Sequence, residues 1–262
     1  MELSANNIMI FTNGSNKNIP IIFVHGFPYD HTMWEKTVDA LKDNYYCVTY
    51  DIRGLGQSPT GSGQYTIESF VDDLETIIDE LKLKKPVLCG LSMGGYISLR
   101  AVERMEEKFA AVILCDTKPE ADDNITKLKR AAGVKLLYEN GAEEFIRAFV
   151  KNCFGTKYSE AQKSEYMKIE DYFAKGSPVA VSGCLIAMAA RTDTTEALGK
   201  IKIPTLVICG EDDRLTPPAI MKQMAEKIKE AKFVLIPDAG HMTPIENPVE
   251  FNKAVTEFLE DL

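Results

Sequence analysis

The sequence predicts an α/β protein in which a mostly parallel sheet is flanked by helices and carries an inserted helical cap. Short apolar runs rich in Val and Ile alternate with amphipathic helical patterns, the order expected of a parallel sheet crossed by helices. One long segment with helical patterns alone interrupts this alternation. The 262 residues, 45% hydrophobic and 26% charged, suffice for a substantial core of ordinary globular composition.

The apolar runs predict six buried strands, several of which end on Gly or Asp. They cover residues 21–24, 46–50, 87–89, 111–115, 205–209 and 233–236. Apolar residues at the helical period predict a helix over 67–81, for which Thr66 is a suitable N-cap. Asn247 as N-cap, followed by Pro248 at the first helical position, predicts a terminal helix.

The long helical segment is predicted to be a cap inserted between two core strands. Between Asp116 and Pro204 the strand pattern stops, and glycines divide the segment into about four short helices. We therefore expect a core formed by residues 1–117 and 204–262, with the cap at 118–203. The last cap helix, at 179–190, is apolar around most of its circumference and should be buried or line a pocket.

The composition argues against several classes of binding partner. The 30 Lys and Arg against 39 Asp and Glu give a net charge of −9, which repels nucleic acid and anionic membrane surfaces. The first seven residues lack the basic and apolar regions of a signal peptide, and no apolar run is long enough to span a bilayer, so a cytoplasmic protein is expected. The six cysteines lack zinc-site spacing, and we expect neither a metal nor a cofactor.

The motif at residues 90–94, Gly-Leu-Ser-Met-Gly, matches a nucleophile elbow in both letters and context. It follows the strand at 87–89 and opens a helical pattern. Such a sharp turn holds the serine side chain above the edge of the sheet, while the flanking glycines let neighbouring backbone approach. Ser92 is therefore the predicted nucleophile.

A serine hydroxyl needs a base, usually a histidine, to take its proton. In proteins with a nucleophile elbow, the serine is followed along the chain first by an acidic residue and then by this histidine. Of the three histidines, only His241 fits this order, because His25 and His31 precede Ser92. The acid should orient the imidazole and stabilise its protonated form. Asp213, just after the strand at 205–209, is the predicted acid, with Asp212 as runner-up and Asp116 a distant third.

An oxyanion hole requires amide groups that point at the developing negative charge. The elbow supplies the amide of Met93, the residue after the nucleophile. The turn after the first predicted strand, His25-Gly26-Phe27-Pro28, is placed to supply the amide of Phe27.

These motifs together resemble the α/β-hydrolase fold superfamily. The stretches HGFP, DIRGLGQS, GLSMGG, GEDD and AGHMTPIENP occur in that family's order and span almost the whole chain. Within the superfamily the chain is similar to small capped carboxylesterases and 3-oxoadipate enol-lactonases. The resemblance implies a catalytic triad of Ser92, Asp213 and His241, amide donors at Phe27 and Met93, and no cofactor. It places Asp51, Arg53, Gly54 and Gly56 in a recurrent loop, which we interpret as structural.

The residue at the elbow separates this chain from some relatives. Haloalkane dehalogenases and epoxide hydrolases carry Asp there and dienelactone hydrolases carry Cys, so the resemblance favours ester, thioester or lactone substrates. A carboxylesterase acting on small acyl groups is the leading hypothesis, and an enol-lactonase is the alternative. Peracid formation as a side activity, lyase chemistry and a catalytically silent ligand-binding relative stay open, as does the oligomeric state.

Cap residues offer two further hypotheses. Leu185, Ile186 or Met188 of the apolar cap helix could line an acyl or alcohol pocket, although packing inside the cap is the more common use of such residues. An enol-lactonase must also hold a free carboxylate of its substrate, which requires a cation. The candidates are Arg130, Arg147 and Arg191, for which solvated surface arginine is the alternative.

Overall fold

A computed structural model describes residues 2–5, 7–61, 63 and 65–262 of the chain. Met1 and Asn6, which belong to the segment inspected for a signal peptide, lie outside the described residues. So does Ser62, the centre of a glycine-flanked turn that the sequence indicates at 61–63.

The described part of the chain forms one sheet of eight strands, in the order β1-β2-β4-β3-β5-β6-β7-β8. Strands β1 and β2 pair antiparallel with each other, and β2 pairs antiparallel with β4, whereas every other pairing is parallel. The strands are β1 (Glu2–Ala5), β2 (Ile8–Asn13), β3 (Pro20–Val24), β4 (Tyr46–Tyr50), β5 (Val87–Leu91), β6 (Ala111–Cys115), β7 (Thr205–Gly210) and β8 (Lys232–Ile236).

Helices flank this sheet, and short 3₁₀ helices lie at His31–Trp34, Glu106–Lys108 and Thr195–Lys200. The α-helices are α1 (Glu35–Leu41), α2 (Ile67–Glu80), α3 (Met93–Met105), α4 (Asn124–Asn140), α5 (Ala142–Cys153), α6 (Thr156–Ala161), α7 (Lys163–Phe173), α8 (Pro178–Ala189), α9 (Pro218–Lys227), α10 (Thr243–Glu246) and α11 (Pro248–Glu260).

Local capping explains where two of the predicted helices begin. The Thr66 hydroxyl accepts a hydrogen bond from the Ser69 amide (3.0 Å), and the Ser69 hydroxyl accepts one from the Thr66 amide (3.1 Å), so the two residues form a capping box ahead of α2. At α11, the side chain of Asn247 accepts from the amide of Glu250 (3.3 Å). Both N-caps are those expected from the sequence.

The predicted α/β class with a mostly parallel sheet is confirmed, and three details differ from expectation. Strands β1 and β2 were not predicted, because a short antiparallel edge lacks the continuous apolar run of a buried strand. Strand β8 was expected to be buried, but as an edge strand it leaves Leu235 46% exposed. The segment between β6 and β7 has five α-helices rather than about four, because a break at Gln162 separates α6 from α7.

The core lies along the parallel strands, whose side chains are almost all buried from β3 through β7. Trp34 links three elements: its ring centroid lies 5.2 Å from that of Phe23 in β3 and 6.1 Å from that of Phe251 in α11. All six cysteines are buried free thiols. Burial was expected for Cys89, Cys115 and Cys209, each of which ends an apolar run. The parallel part of the sheet therefore gives a fixed frame for the loops at its carboxyl edge.

Within the described residues, no single helix has the length and apolar character needed to cross a membrane. Only α7 and α8 taken together pass by length and composition, and they meet at a bend of 95°. The apolar side of α8 packs inside this chain, where Leu185 is 2% and Met188 3% exposed.

Candidate active site

The candidate site lies where the parallel strands end. Residues that directly follow parallel strands meet at one edge of a sheet, which is where open α/β sheets bind ligands. Ser92 follows β5, Asp213 lies three residues after β7, and His241 lies five residues after β8. The structure brings these three predicted residues into contact.

The Ser92 backbone has the strained conformation of a nucleophile elbow. Its φ of +56° and ψ of −113° are rare for a residue with a side chain. Its amide donates to the carbonyl of Cys115 (3.0 Å) and its carbonyl accepts from the Thr117 hydroxyl (2.8 Å), so the turn is tied to the end of β6. A Cβ at Gly94 would collide with the carbonyl of Val24, so this glycine lets α3 begin against β3.

A continuous chain of hydrogen bonds links the serine to the carboxylate. Nε2 of His241 lies 2.8 Å from Oγ of Ser92, and Nδ1 of His241 lies 2.8 Å from Oδ2 of Asp213. His241 and Asp213 are each 3% exposed, whereas Ser92 is half-buried. This arrangement can move a proton from the serine to the imidazole while the carboxylate stabilises the positive charge.

Asp213 is held as an acceptor by its own loop. Oδ1 accepts from the amides of Leu215 (2.8 Å) and Thr216 (3.0 Å), and Oδ2 accepts from the Thr216 hydroxyl (2.5 Å). Burial alone would raise the pKa of Asp213, but the charge and hydrogen bond of His241, together with Thr216, lower it below its ordinary range. The carboxylate is therefore ionised across the neutral range.

The runner-up, Asp212, is exposed, and its amide donates to the carbonyl of Ala239 (2.9 Å). Thr216 was not singled out from the sequence, although a hydroxyl three residues after an aspartate is a common turn pairing that could have indicated it.

The other two histidines, His25 and His31, form hydrogen bonds within the surrounding loops rather than with Ser92. His25 is fully buried; Nδ1 donates to the Gly26 carbonyl (2.9 Å) and Nε2 accepts from the Ile52 amide (2.9 Å). Burial lowers the pKa of His25, which favours this neutral form. His31 stacks on Phe11 with ring centroids 3.5 Å apart and lies 2.7 Å from a carboxylate oxygen of Asp51.

The predicted oxyanion donors flank Ser92. Met93 is the first residue of α3, so its amide has no partner inside the helix. A Cβ at Gly26 would lie 3.3 Å from Cβ of Ser92, which shows how closely the Gly26-Phe27 turn approaches the serine. The structure thus places both turns beside Ser92, and the donor roles of Phe27 and Met93 stay predictions.

Asp116, the third candidate for the acid, directly follows β6. It is fully buried, its Oδ1 accepts from the Gly210 amide (2.8 Å), and the Thr243 hydroxyl donates to its Oδ2 (2.5 Å). Burial, with the nearby charge of Asp213, raises the pKa of Asp116 well above its ordinary value. Asp116 therefore joins β7 to the segment after His241 and does not contact the imidazole through these bonds.

Two clusters within the described residues have spacing that could suit a metal ion: Asp30, His31 and Asp51, and Asp116, Cys209 and Asp213. In the second, hydrogen bonds already occupy the oxygens of both aspartates, and Cys209 has a pKa raised by burial, which disfavours the thiolate that binds metals. The residues of this second cluster therefore fit hydrogen bonding better than metal binding.

The recurrent loop after β4 is held by hydrogen bonds. Asp51 accepts from the amides of His31 (2.9 Å) and Gln57 (2.8 Å), and Arg53 forms an ion pair with Asp73 (2.6 Å). Gly54 and Gly56 both have positive φ, and a Cβ at Gly56 would collide with the carboxylate of Asp51. These contacts agree with a structural role for this loop.

The three arginines proposed as carboxylate binders already have acidic partners. Arg130 and Arg191 both pair with the buried Asp122, and Arg147 pairs with Glu143 and Asp171. Arg147 therefore forms ion pairs at the surface, whereas Arg191 is only 7% exposed and lies in the interior. Of the proposed apolar pocket residues, Ile186 is 55% exposed and Leu185 is 2% exposed.

Helix α5 brings the helical segment over the site. The ring centroid of Phe149 lies 5.1 Å from that of Phe27 in an edge-to-face contact, and Phe145 stacks beside Phe149 at 6.4 Å. Both α5 aromatics are half-buried. One turn after Phe149, the carbonyl of Cys153 accepts a hydrogen bond from the His241 amide (2.8 Å). The helix therefore contacts both the predicted oxyanion turn and the histidine loop.

Comparison with known proteins agrees with this fold. Residues 19–248 match the family described as alpha/beta hydrolase fold. The chain belongs to this family. It is 28% identical over 244 residues to 3-oxoadipate enol-lactonase 2 of Acinetobacter baylyi, covering 93% of this chain and 90% of that protein.

Two solved structures are similar over nearly their full length. A thermophilic esterase from Thermogutta terrifontis has a TM-score of 0.93 and 30% identity, covering 100% of this chain and 98% of the esterase. The enol-lactonase from Burkholderia xenovorans has a TM-score of 0.90 and 28% identity, covering 99% and 100%.

Proposed function

We propose that this protein is a serine hydrolase that cleaves carboxylic esters of small acyl groups through an acyl-enzyme on Ser92. The observation that carries the proposal is the chain of two 2.8 Å contacts from Ser92 through His241 to Asp213 at the carboxyl edge of the sheet. The esterase from Thermogutta terrifontis, at 30% identity, supports ester hydrolysis as the reaction class.

In the acylation step, Oγ of Ser92 attacks the ester carbonyl carbon while Nε2 of His241 takes the hydroxyl proton. The tetrahedral intermediate carries its negative charge on the former carbonyl oxygen, where the amides of Phe27 and Met93 are proposed to donate. Each such donor typically contributes about 3 kcal/mol of transition-state stabilisation. The intermediate then collapses, the ester C–O bond breaks, and the leaving alkoxide takes the proton from His241.

In the deacylation step, His241 takes a proton from water, and the hydroxide attacks the acyl carbon. The second tetrahedral intermediate breaks its bond to Oγ of Ser92, which recovers its proton from the imidazole. The products are a carboxylic acid and an alcohol. Asp213 stays ionised throughout, because its hydrogen bonds lower its pKa.

Residues 118–203 are proposed to act as a cap that forms part of the substrate pocket. The half-buried Phe149 of α5 packs on Phe27, and the half-buried Phe145 stacks beside Phe149, so both are suited to contact an acyl or alcohol group. An apolar pocket of this kind favours uncharged esters over charged ones.

Lactone hydrolysis of the enol-lactonase type is the second candidate, and it is favoured by 28% identical relatives of that name. Against it, Arg130, Arg147 and Arg191 already bind carboxylates of this chain, so a substrate carboxylate would have to displace one of them or bind elsewhere.

The deciding experiment is a comparison of initial rates on short-chain esters and on an enol-lactone, combined with labelling by a phosphonate probe. We expect one phosphonate adduct on Ser92 and a higher kcat/KM on uncharged esters. A higher kcat/KM on the lactone would favour the second candidate. A chain that neither turns over nor labels would be a ligand-binding relative rather than an enzyme.

A further inference from the structure

The helical segment and the histidine loop touch through their backbones. Besides the bond from the His241 amide to the carbonyl of Cys153 (2.8 Å), Gly240 packs directly on residues 153–155. A Cβ at Gly240 would lie 3.0 Å from the carbonyl carbon of Phe154 and 3.1 Å from the carbonyl oxygen of Cys153. Such a close approach means that residues 153–155 pack directly against the loop that carries the imidazole.

Glu246 bridges the same two segments with its carboxylate. Oε2 accepts from the amide of Gly155 (2.7 Å), and Oε1 accepts from the amide of Met242 (3.0 Å), the residue after His241. Each oxygen thus holds one side of the contact. Glu246 is the last residue of α10, which begins two residues after His241, so the imidazole and this carboxylate belong to one short segment.

We propose that Glu246 is a positioning residue that couples the helical insertion to His241, holding the histidine loop against residues 153–155 and stabilising the protonated imidazole through its negative charge. This inference rests on the proposed function, because it assigns Glu246 a role in the same reaction. The residue does not touch the reacting atoms. It acts through the histidine.

The charges around Glu246 are consistent with this role. Burial raises the pKa of Glu246 above its ordinary value, although nearby amides and the positive form of His241 oppose the shift. The titratable groups that face Glu246 are His241, Asp116, Tyr29, Cys153 and Tyr158. Among these groups, only His241 becomes cationic, so the favourable charge interaction is directed to the imidazole.

The test compares Glu246→Gln with Glu250→Gln, which removes the same charge four residues further along. The chain has only three histidines, so NMR titration can follow each imidazole. The imidazole signal that disappears in His241→Gln is the signal of His241. Removing a negative charge disfavours the imidazolium, so the pKa of His241 should fall by about 0.5 unit or more in Glu246→Gln. It should not change in Glu250→Gln.

Kinetics give the second readout. In Glu246→Gln the acid limb of kcat/KM on a short-chain ester should move to lower pH. At the pH optimum, kcat should fall by about tenfold, which corresponds to about 1.4 kcal/mol, and KM should change less. A residue that only supports the fold would lower the melting temperature without moving the acid limb.

Glu246→Asp separates the charge from the tether and still tests the proposal if the glutamine variant does not fold. It keeps the charge but is too short to reach both amides, so kcat should fall while the pKa of His241 stays near the wild-type value. If Glu246→Asp and Glu246→Gln both match Glu250→Gln in kcat and in the His241 pKa, the inference is wrong. A wild-type chain without turnover or phosphonate labelling would refute the proposed function instead, and the NMR titration would still report the coupling.

Discussion

The guanidinium of Arg191 lies 4.1 Å above the ring of Tyr96, which stands one helical turn after Ser92. The same guanidinium pairs with Asp122 (2.6 Å), which also binds Arg130. Asp122 comes shortly after β6, and Arg191 follows α8. The ion pair and the cation–π contact together therefore connect segments near both ends of the helical insertion to α3, whose N-cap is Ser92.

Asp122→Asn should destabilise the protein by about 3 kcal/mol, because it leaves the buried Arg191 and the half-buried Arg130 without their shared counter-charge. Denaturant unfolding measures the change. Asp123→Asn is the matched control, since an exposed N-cap aspartate can be replaced by asparagine at little cost. Equal stability of the two variants would show that the buried ion pairs contribute little.

Ser92→Ala should lower kcat on short-chain esters by about 10⁴-fold or more and abolish phosphonate labelling, because no other group supplies the nucleophile. The free energy of unfolding should change by less than about 1 kcal/mol, since one oxygen is lost from a half-buried side chain. Ser164→Ala, on the exposed surface of α7, is the control. A variant that keeps a tenth of the wild-type kcat would contradict the role assigned to Ser92.

Asp213→Asn should lower kcat by about 10⁴-fold, because asparagine can present an N–H to Nδ1 of His241 and favour the wrong tautomer. Asp212→Asn removes the same charge from the same loop and should have a far smaller effect. The pair therefore isolates the tautomer effect from the long-range charge. A larger loss at Asp212 would move the role of the acid to that residue.

Asp116→Asn should make the protein more stable than wild type at pH 8 and no more stable near pH 4. The native state holds the proton of Asp116 to a higher pH than the unfolded chain does, because burial raises its folded pKa. The wild type therefore loses stability as pH rises above the unfolded pKa, by about 1.4 kcal/mol for each unit up to the folded pKa. Unfolding of both variants across this pH range measures the difference, with Asp212→Asn as the exposed control.

Exhaustive chelation and dialysis should leave the rate of ester hydrolysis unchanged. The oxygens of Asp213 and Asp116 already accept hydrogen bonds from His241, Thr216, Gly210 and Thr243, which leaves little capacity for a metal ion. Rates before and after treatment, and after adding back Zn²⁺ or Mg²⁺, make the measurement. Loss of activity that only added metal restores would contradict this expectation.

Sequence patterns predicted the parallel strands and the site residues, because both depend on local signals. The apolar runs mark β3 to β7, and the elbow motif places Ser92 at the strand end. Thr216, Asp116 and Glu246 were not predicted as parts of the site in their present roles. The partners of Glu246 and Asp116 are up to 127 residues away along the chain, and no local pattern reports such pairings. Thr216 pairs with Asp213 only three residues away, so a local turn pattern could have indicated it.

The insertion leaves the sheet after β6 and returns at β7, its hydrogen-bonded neighbour. In evolutionary terms, the roughly ninety residues between these strands form a cassette, since their length and sequence can drift without altering the strand order. One short stretch of the insertion is constrained by its contacts with the site. Residues 153–155 contact the histidine loop, and the hydroxyl of the next residue, Thr156, accepts from Arg214 (2.9 Å), next to Asp213. A chimaera in which another hydrolase supplies the insertion should therefore retain this stretch of the present chain. Without it, we expect the histidine loop and the catalytic activity to be disturbed.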